Sequence, residues 1–144
     1  MYLVQPDELH DQGDIIKKIE ILAPSSNEPV CALEPKSARV IVLSHGCEID
    51  KADSSTLLVA PVVRLSADDG GLIGLIRKGR VRNYFHLAPD GAMSEEAAVD
   101  WRLVQVVRKS PVTSNRSGQQ YVCTLDADAK AAMAESLLQF LFRS

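Results

Sequence analysis

The chain has 144 residues, enough for a single domain with a sizeable core, and its composition, 46% hydrophobic and 24% charged, excludes a disordered or fibrous chain. A formal net charge of −3 excludes a wholly electrostatic nucleic-acid binder but leaves room for a local basic patch. No apolar run approaches the roughly 20 residues that span a bilayer, and residues 1–14 lack the apolar core of a signal peptide, so the expected location is cytoplasmic, without membrane attachment. The three cysteines, Cys31, Cys47 and Cys123, are odd in number and widely spaced, which predicts free thiols in a reducing compartment.

In chain order, residues 1–4 read as a short strand closed by Gln5-Pro6, and residues 11–13 as a turn. The β-branched residues Ile15, Ile16, Ile19 and Ile21 predict a strand over 14–22, although their spacing is mixed. Residues 23–29, rich in Pro, Ser and Asn, read as a loop, and 30–33 as a short strand ending before Glu34-Pro35. The run Arg39-Val40-Ile41-Val42-Leu43-Ser44 is too continuously apolar to have one wet face, so it predicts a strand covered on both sides. A second strand is expected over 56–65, with Pro61 marking an edge, a bulge or a bend. Leu72, Ile73, Leu75 and Ile76 fit one face of a short helix. Strands are expected over 81–87 and 98–107, the latter around Trp101, with a turn-rich loop at 88–94 between them. The polar stretch 111–118 reads as a hairpin loop and 121–124 as a last strand. A helix over 126–142 carries an apolar stripe of Ala129, Met133, Leu137, Phe140 and Leu141, which predicts core packing. These elements together predict a mainly β, α+β fold: a curled, mostly antiparallel sheet forming a small partly open barrel, with a short helix and a C-terminal helix.

Two constellations could carry chemistry. At the end of the buried strand, Ser44, His45, Cys47, Glu48 and Asp50 lie within seven residues of one another. A thiolate needs a base or a positive charge beside it, and His45 lies two residues from Cys47. His45 and Cys47, with His86, are therefore the catalytic candidates, and Ser44, Glu48 and Asp50 line the accompanying pocket. The plainer reading makes Cys47 a small buried hydrophobe and His45 a turn residue. His45, Cys47, Asp50 and His86 include metal-ligand types but lack a recurring ligand spacing, so no metal and no cofactor is expected. The second constellation is basic: Arg77, Lys78, Arg80 and Arg82 run into Tyr84, Phe85 and His86. On one strand, Arg80, Arg82, Tyr84 and His86 would share an outward face, offering forked donors to phosphate and rings to unpaired bases. The alternative is an ordinary solvated face. Asp100 is expected to pair with Arg80 or Arg82 across strands, and Arg108, Lys109 and Arg116 to extend the positive region.

Three segments then occur in a familiar order: Gly13-Asp14-Ile15, the run from Arg39 to Ser44, and Leu57-Leu58-Val59-Ala60-Pro61-Val62. Over residues 13–65 the chain resembles the MazF/PemK-like toxins, SH3-like barrels that cleave RNA without a metal. The resemblance implies an SH3-like barrel and a homodimer. It departs at the chemistry. The family's loop arginine has only Lys36 in its place, with Arg39 matching the arginine at the start of the strand. Val62 and Val63 stand where the family has threonine or serine, so the ribonuclease activity need not carry over with the fold. The segments Ser44-His45-Gly46-Cys47-Glu48-Ile49, Val81-Arg82-Asn83-Tyr84-Phe85 and Val99-Asp100-Trp101-Arg102 are also similar to uncharacterised bacterial proteins found near phage-defence and mobile genes.

The leading functional expectation is a nucleic-acid-interacting module, toxin-like or accessory to a mobile or defence element, whose partner is single-stranded RNA. The competing class is a protein-interaction or small-ligand module docking at residues 44–50. A cysteine hydrolase is a third.

Overall fold

The computed structural model describes residues 1–6, 10–24, 32–44, 56–65, 71–108, 116 and 120–142. Its strands are β1 (Tyr2–Leu3), β2 (Asp14–Pro24), β3 (Leu33–Val42), β4 (Thr56–Arg64), β5 (Tyr84–Leu87), β6 (Ala97–Asp100), β7 (Gln105–Arg108) and β8 (Tyr121–Leu125). Two α-helices, α1 (Leu72–Arg77) and α2 (Ala127–Phe142), and a 3-10 turn at Trp101–Leu103 complete the described elements. The strands pair antiparallel in the order β1-β8-β2-β3-β4-β6-β5, with β7 also on β4, and the sheet does not close. This is the mainly β, α+β architecture that the sequence predicts. Among the described residues no helix is long and apolar enough to cross a membrane.

The continuous apolar runs are explained by burial on both faces. Ile15, Ile41, Leu43 and Ala60 join one core cluster with Trp101 and Met133, while Ile16, Val40, Val42, Leu57 and Val59 join a second. Alternate residues of the same strands therefore enter different cores, so neither set can be polar. The mixed spacing in β2 has a local cause. Its register against β3 shifts between Ile16 and Ile19, and Lys18 takes a positive φ of 60°. The extra residue of this bulge reverses the alternation, so Ile19 and Ile21 enter the same cluster as Ile16.

Several sequence boundaries move. Residues 30 and 31 of the strand expected over 30–33 lie outside the described residues, and β3 begins at Leu33 and runs through Glu34-Pro35, with Pro35 opposite Leu22. Among the described residues this half of β3 pairs only with β2, and a sheet edge tolerates a residue without an N–H. Pro61 lies inside β4 at a change of partner. Leu43 N–H donates to Leu58 O at 2.8 Å, and ladder alternation then makes Val40–Pro61 a non-hydrogen-bonded pair, so the proline nitrogen faces away from β3. On that other side, β4 pairs with β7 up to Val59–Gln105 and with β6 from Val62–Val99. The register jumps by three residues between them, and those three are the 3-10 turn Trp101–Leu103. The predicted single strand over 98–107 is thus two strands. The missing donor of Pro61 faces the interruption, and Trp101 drops into the core, where its indole N–H donates to Ser136 Oγ of α2 at 2.9 Å.

The strand predicted over 81–87 is also shortened, to Tyr84–Leu87. Helix α1 ends with Arg80 N–H on Leu75 O and Gly79 N–H on Ile76 O, and Gly79 takes φ 69°, a left-handed position that suits glycine. A turn closed by Tyr84 N–H on Val81 O follows, so residues 79–83 are spent on reversal. At the C-terminal end, Asp126 Oδ1 accepts from Ala129 N–H at 2.9 Å and caps α2. Ala129 and Met133 are buried and Leu137 and Phe140 half-buried against the first cluster. The predicted stripe is corrected at Leu141, which is 58% exposed.

Met133→Ala should therefore destabilise the protein by about 2–5 kcal/mol, whereas Leu141→Ala should change stability by no more than about 0.5 kcal/mol. Urea denaturation of the two variants checks this, and equal losses would place α2 in a different rotation.

Candidate functional site

His45, Cys47, Glu48 and Asp50, together with Cys31 and Lys109, lie outside the described residues. Of the predicted pocket only Ser44 is described. Its Oγ accepts from Leu58 N–H at 2.8 Å and so ties the end of β3 to β4. Cys123 is fully buried, and burial pushes its thiol up to about 11, so it is protonated and inert at neutral pH.

The basic constellation converges on a cleft of about 470 Å³ between α1, β5 and α2, whose walls include Arg77, Lys78, Arg82, Tyr84, His86 and Glu135. Arg80 and Arg82 precede β5 rather than belonging to it, so the single-strand arrangement expected for Arg80, Arg82, Tyr84 and His86 holds only for Tyr84 and His86. Arg82 reaches the cleft from the turn, while Arg80 is exposed and does not line it.

Both β5 residues are held by side-chain contacts. Arg102 donates to Tyr84 Oη at 2.6 Å and lies over its ring, 5.2 Å from the centroid. The same guanidinium donates twice to Asp100, at 3.1 Å each. Asp100 thus pairs with Arg102, where the sequence reading expects Arg80 or Arg82. Buried at the end of β6, its carboxylate caps the 3-10 turn and meets the one arginine which that turn presents. His86 Nε2 lies 2.6 Å from Glu96 Oε2, and Arg77 donates to both oxygens of Glu96, at 2.6 and 2.7 Å. Hydrogen bonds from Arg77 first and His86 second pull the Glu96 pKa from 4.5 down to about 2. An ionised carboxylate only accepts, so His86 carries its proton on Nε2.

Glu96 also borders a second, smaller cleft of about 240 Å³, with Arg39, Val62, Arg64, Met93 and Glu95. There Arg39 donates to Met93 Sδ at 3.5 Å, and Arg64 is paired with Glu95. Arg39 is opposite Val62 in the β3–β4 ladder. Val62 contributes no hydroxyl here and packs against the first core cluster.

Sequence reasoning missed the best-built polar cluster among the described residues. Arg116, expected to extend a positive surface, is buried and donates to both oxygens of buried Asp14, at 2.9 and 2.8 Å. Thr124 Oγ1 donates to Asp14 at 2.8 Å, and His10 Nδ1 lies 2.9 Å from it. Tyr121 closes the cluster: its ring lies under the Arg116 guanidinium and its hydroxyl is 2.8 Å from Thr124 Oγ1. Burial alone would raise the Asp14 pKa, but hydrogen bonds from His10, Arg116 and Thr124 and the Arg116 charge hold it below its ordinary value. The available signal was an acid directly before the β-branched pair Ile15-Ile16. Arg116, in a polar stretch 102 residues away, gave none. Among the described residues no group of three or more His, Cys, Asp or Glu could hold a metal ion.

No protein-family model matches the chain, and no curated protein matches it by sequence. A chain of the crystal structure of MazE-MazF (Form-II) from Deinococcus radiodurans superposes with a TM-score of 0.53 at 14% identity, over 96% of this chain and 100% of that one. The fold is MazF-like. At that identity the likeness carries the fold alone.

Asp14→Asn should cost about 3–5 kcal/mol, because it leaves the buried Arg116 charge without its counterion. Asp14 and Glu96 both have depressed pKa values in the folded state, so their contributions are complete above the ordinary carboxylate range and are lost as pH falls from there through the depressed values. Unfolding free energy should be level from about pH 5 upward and decline toward about pH 2. Denaturation across that range checks it, and a rise in stability on acidification would contradict the assignment.

Proposed function

We propose that the chain is a toxin-related nucleic-acid-binding module on a MazF-like fold, and that it engages single-stranded RNA along the cleft between α1, β5 and α2. The observation that carries this reading is the convergence of Arg77, Lys78 and Arg82 with Tyr84 and His86 around one cleft, despite a net charge of −3 for the whole chain. Guanidinium groups suit phosphate oxygens, and the Tyr84 ring, backed by Arg102, is a rigid stacking surface. The activity proposed is binding. The positions where the resembled family carries threonine or serine are Val62 and Val63, and neither side chain can hydrogen-bond or activate a nucleophile. His86 is the described proton-transfer candidate, and its contact with Glu96 leaves Nδ1 as the ring nitrogen that can accept a proton.

A second reading is supported by one observation. Leu138, Leu141 and Phe142 are exposed along the last turns of α2, the kind of surface a protein partner or a second copy covers.

Titration against mixed-sequence single-stranded RNA at low salt tests the proposal. Binding should weaken as salt rises. Lys78→Ala and Arg82→Ala should each flatten the salt slope by about one unit, while Tyr84→Ala should cost roughly 1–3 kcal/mol with that slope unchanged. An absence of binding by the folded wild type would retire the RNA reading in favour of a protein partner.

A further inference from the structure

We propose that Arg77 and His86 form a phosphate-binding site whose resting occupant is the protein's own Glu96. This rests on reading the cleft as phosphate-facing, and goes further by naming the donors and the internal competitor.

The geometry is that of an oxyanion clamp. Arg77 presents Nε and one terminal nitrogen as a fork to the two carboxylate oxygens, and His86 Nε2 adds a third donor to Oε2. A fork plus an imidazole N–H is equally suited to two oxygens of a phosphate group, which is the other anion that a guanidinium grips in bidentate fashion. The Arg77 side chain is open to solvent. Arg77 is 58% exposed while the Glu96 and His86 side chains are 17% and 21% exposed, so the anion is held below an accessible guanidinium. Lys78 and Arg82 line the same cleft and would add positive charge around a dianion. A merely structural strut between α1 and the β5–β6 region would need neither a convergent third donor nor a cation-lined cleft above it.

The competition sets the affinity. A side chain anchored beside its donors has an effective concentration of roughly millimolar or higher. A free phosphate sees only the fraction of molecules in which Glu96 has swung away, and its apparent affinity is reduced by that fraction. Glu96 also borders the cleft of Arg39 and Arg64, so it leaves one cationic surface toward another. Glu96→Gln keeps the side chain's size and an acceptor for Arg77 but removes the competing charge.

The test uses inorganic phosphate at constant ionic strength, with the Arg77 Nε–H and His86 ring resonances as readout. Glu96→Gln should bind phosphate at least about tenfold more tightly than wild type, and adding Arg77→Ala should abolish the gain. Equal affinity in Glu96→Gln and wild type would overturn the proposal, as would a gain that survives loss of Arg77. Should Glu96→Gln fail to fold, the wild type decides: at fixed pH, phosphate must shift the Arg77 Nε–H and the Glu96 carboxyl carbon together, and a titration that leaves either unmoved overturns the site. The outcome is separable from that of the RNA reading. If Glu96→Gln takes up phosphate but the protein does not bind RNA, the RNA reading fails and the site stands. If RNA binds without any phosphate gain in Glu96→Gln, the reverse holds.

Discussion

Burial of β2, β3 and β4 on both faces is the constraint from which most of this structure follows. At Ile15-Ile16, Val40 to Leu43 and Val59-Ala60 successive residues enter one or the other of two cores, so alternation cannot deliver polar groups to water at those positions. Polar chemistry is pushed to strand ends, to turns and to the short peripheral elements. Asp14 stands at the head of β2, Ser44 just past the end of β3, and Asp100 at the end of β6. Each is satisfied locally, because an unpaired polar group at the margin of such a core costs far more than a paired one contributes. No buried polar side-chain atom among the described residues lacks a partner.

The same constraint explains how the sheet keeps its register while its sequence breaks the rules. One extra residue at Lys18 reverses the alternation of β2, and three at Trp101–Leu103 separate β6 from β7. Both insertions sit where their cost is offset. The first turns two further isoleucines into the second core, and the second places Trp101 in the first. Pro61 is the complement of the second insertion, since its lack of an N–H falls on the side of β4 where the partner strand is interrupted. A proline that reads as a fault in a strand is thus matched to an irregularity in its neighbour.

What the sequence revealed, and what it hid, divides along the same line. Apolar periodicity is local, so the strands at Ile15, Val40 and Val59 and the helix around Met133 were legible without any partner in view. Boundaries set by pairing were not. Trp101 could not be seen to leave the strand, because the three-residue jump exists only relative to β4. Arg82 could not be seen to precede β5, because the left-handed Gly79 and the turn after it consume residues that alternation would have assigned to a face. The Asp14–Arg116 pair joins positions 102 residues apart and has no periodic signature at all. The basic run at 77–86 was legible as composition, but its pairing with Glu96 and the isolation of Arg80 from the cleft depend on tertiary placement.

Within the MazF-like fold, the cleft proposed to bind an anion lies at β5, α1 and α2. At Val62 the side chain is committed to the first core cluster, and its ladder partners are Arg39 on one side and Val99 on the other. Val62 borders the smaller cleft beside Arg39, whose guanidinium is turned toward Met93 Sδ. The charged groups instead gather beyond β6, where β5 has its free edge and α1 and α2 wall a cleft. That edge lies outside the two-faced region, so it can carry Tyr84 and His86 on one face while Leu87 still enters the core. A fold whose centre admits only apolar residues is left with its last strands as the place to hold an anion, and Glu96, gripped by Arg77 and His86, is the anion already there.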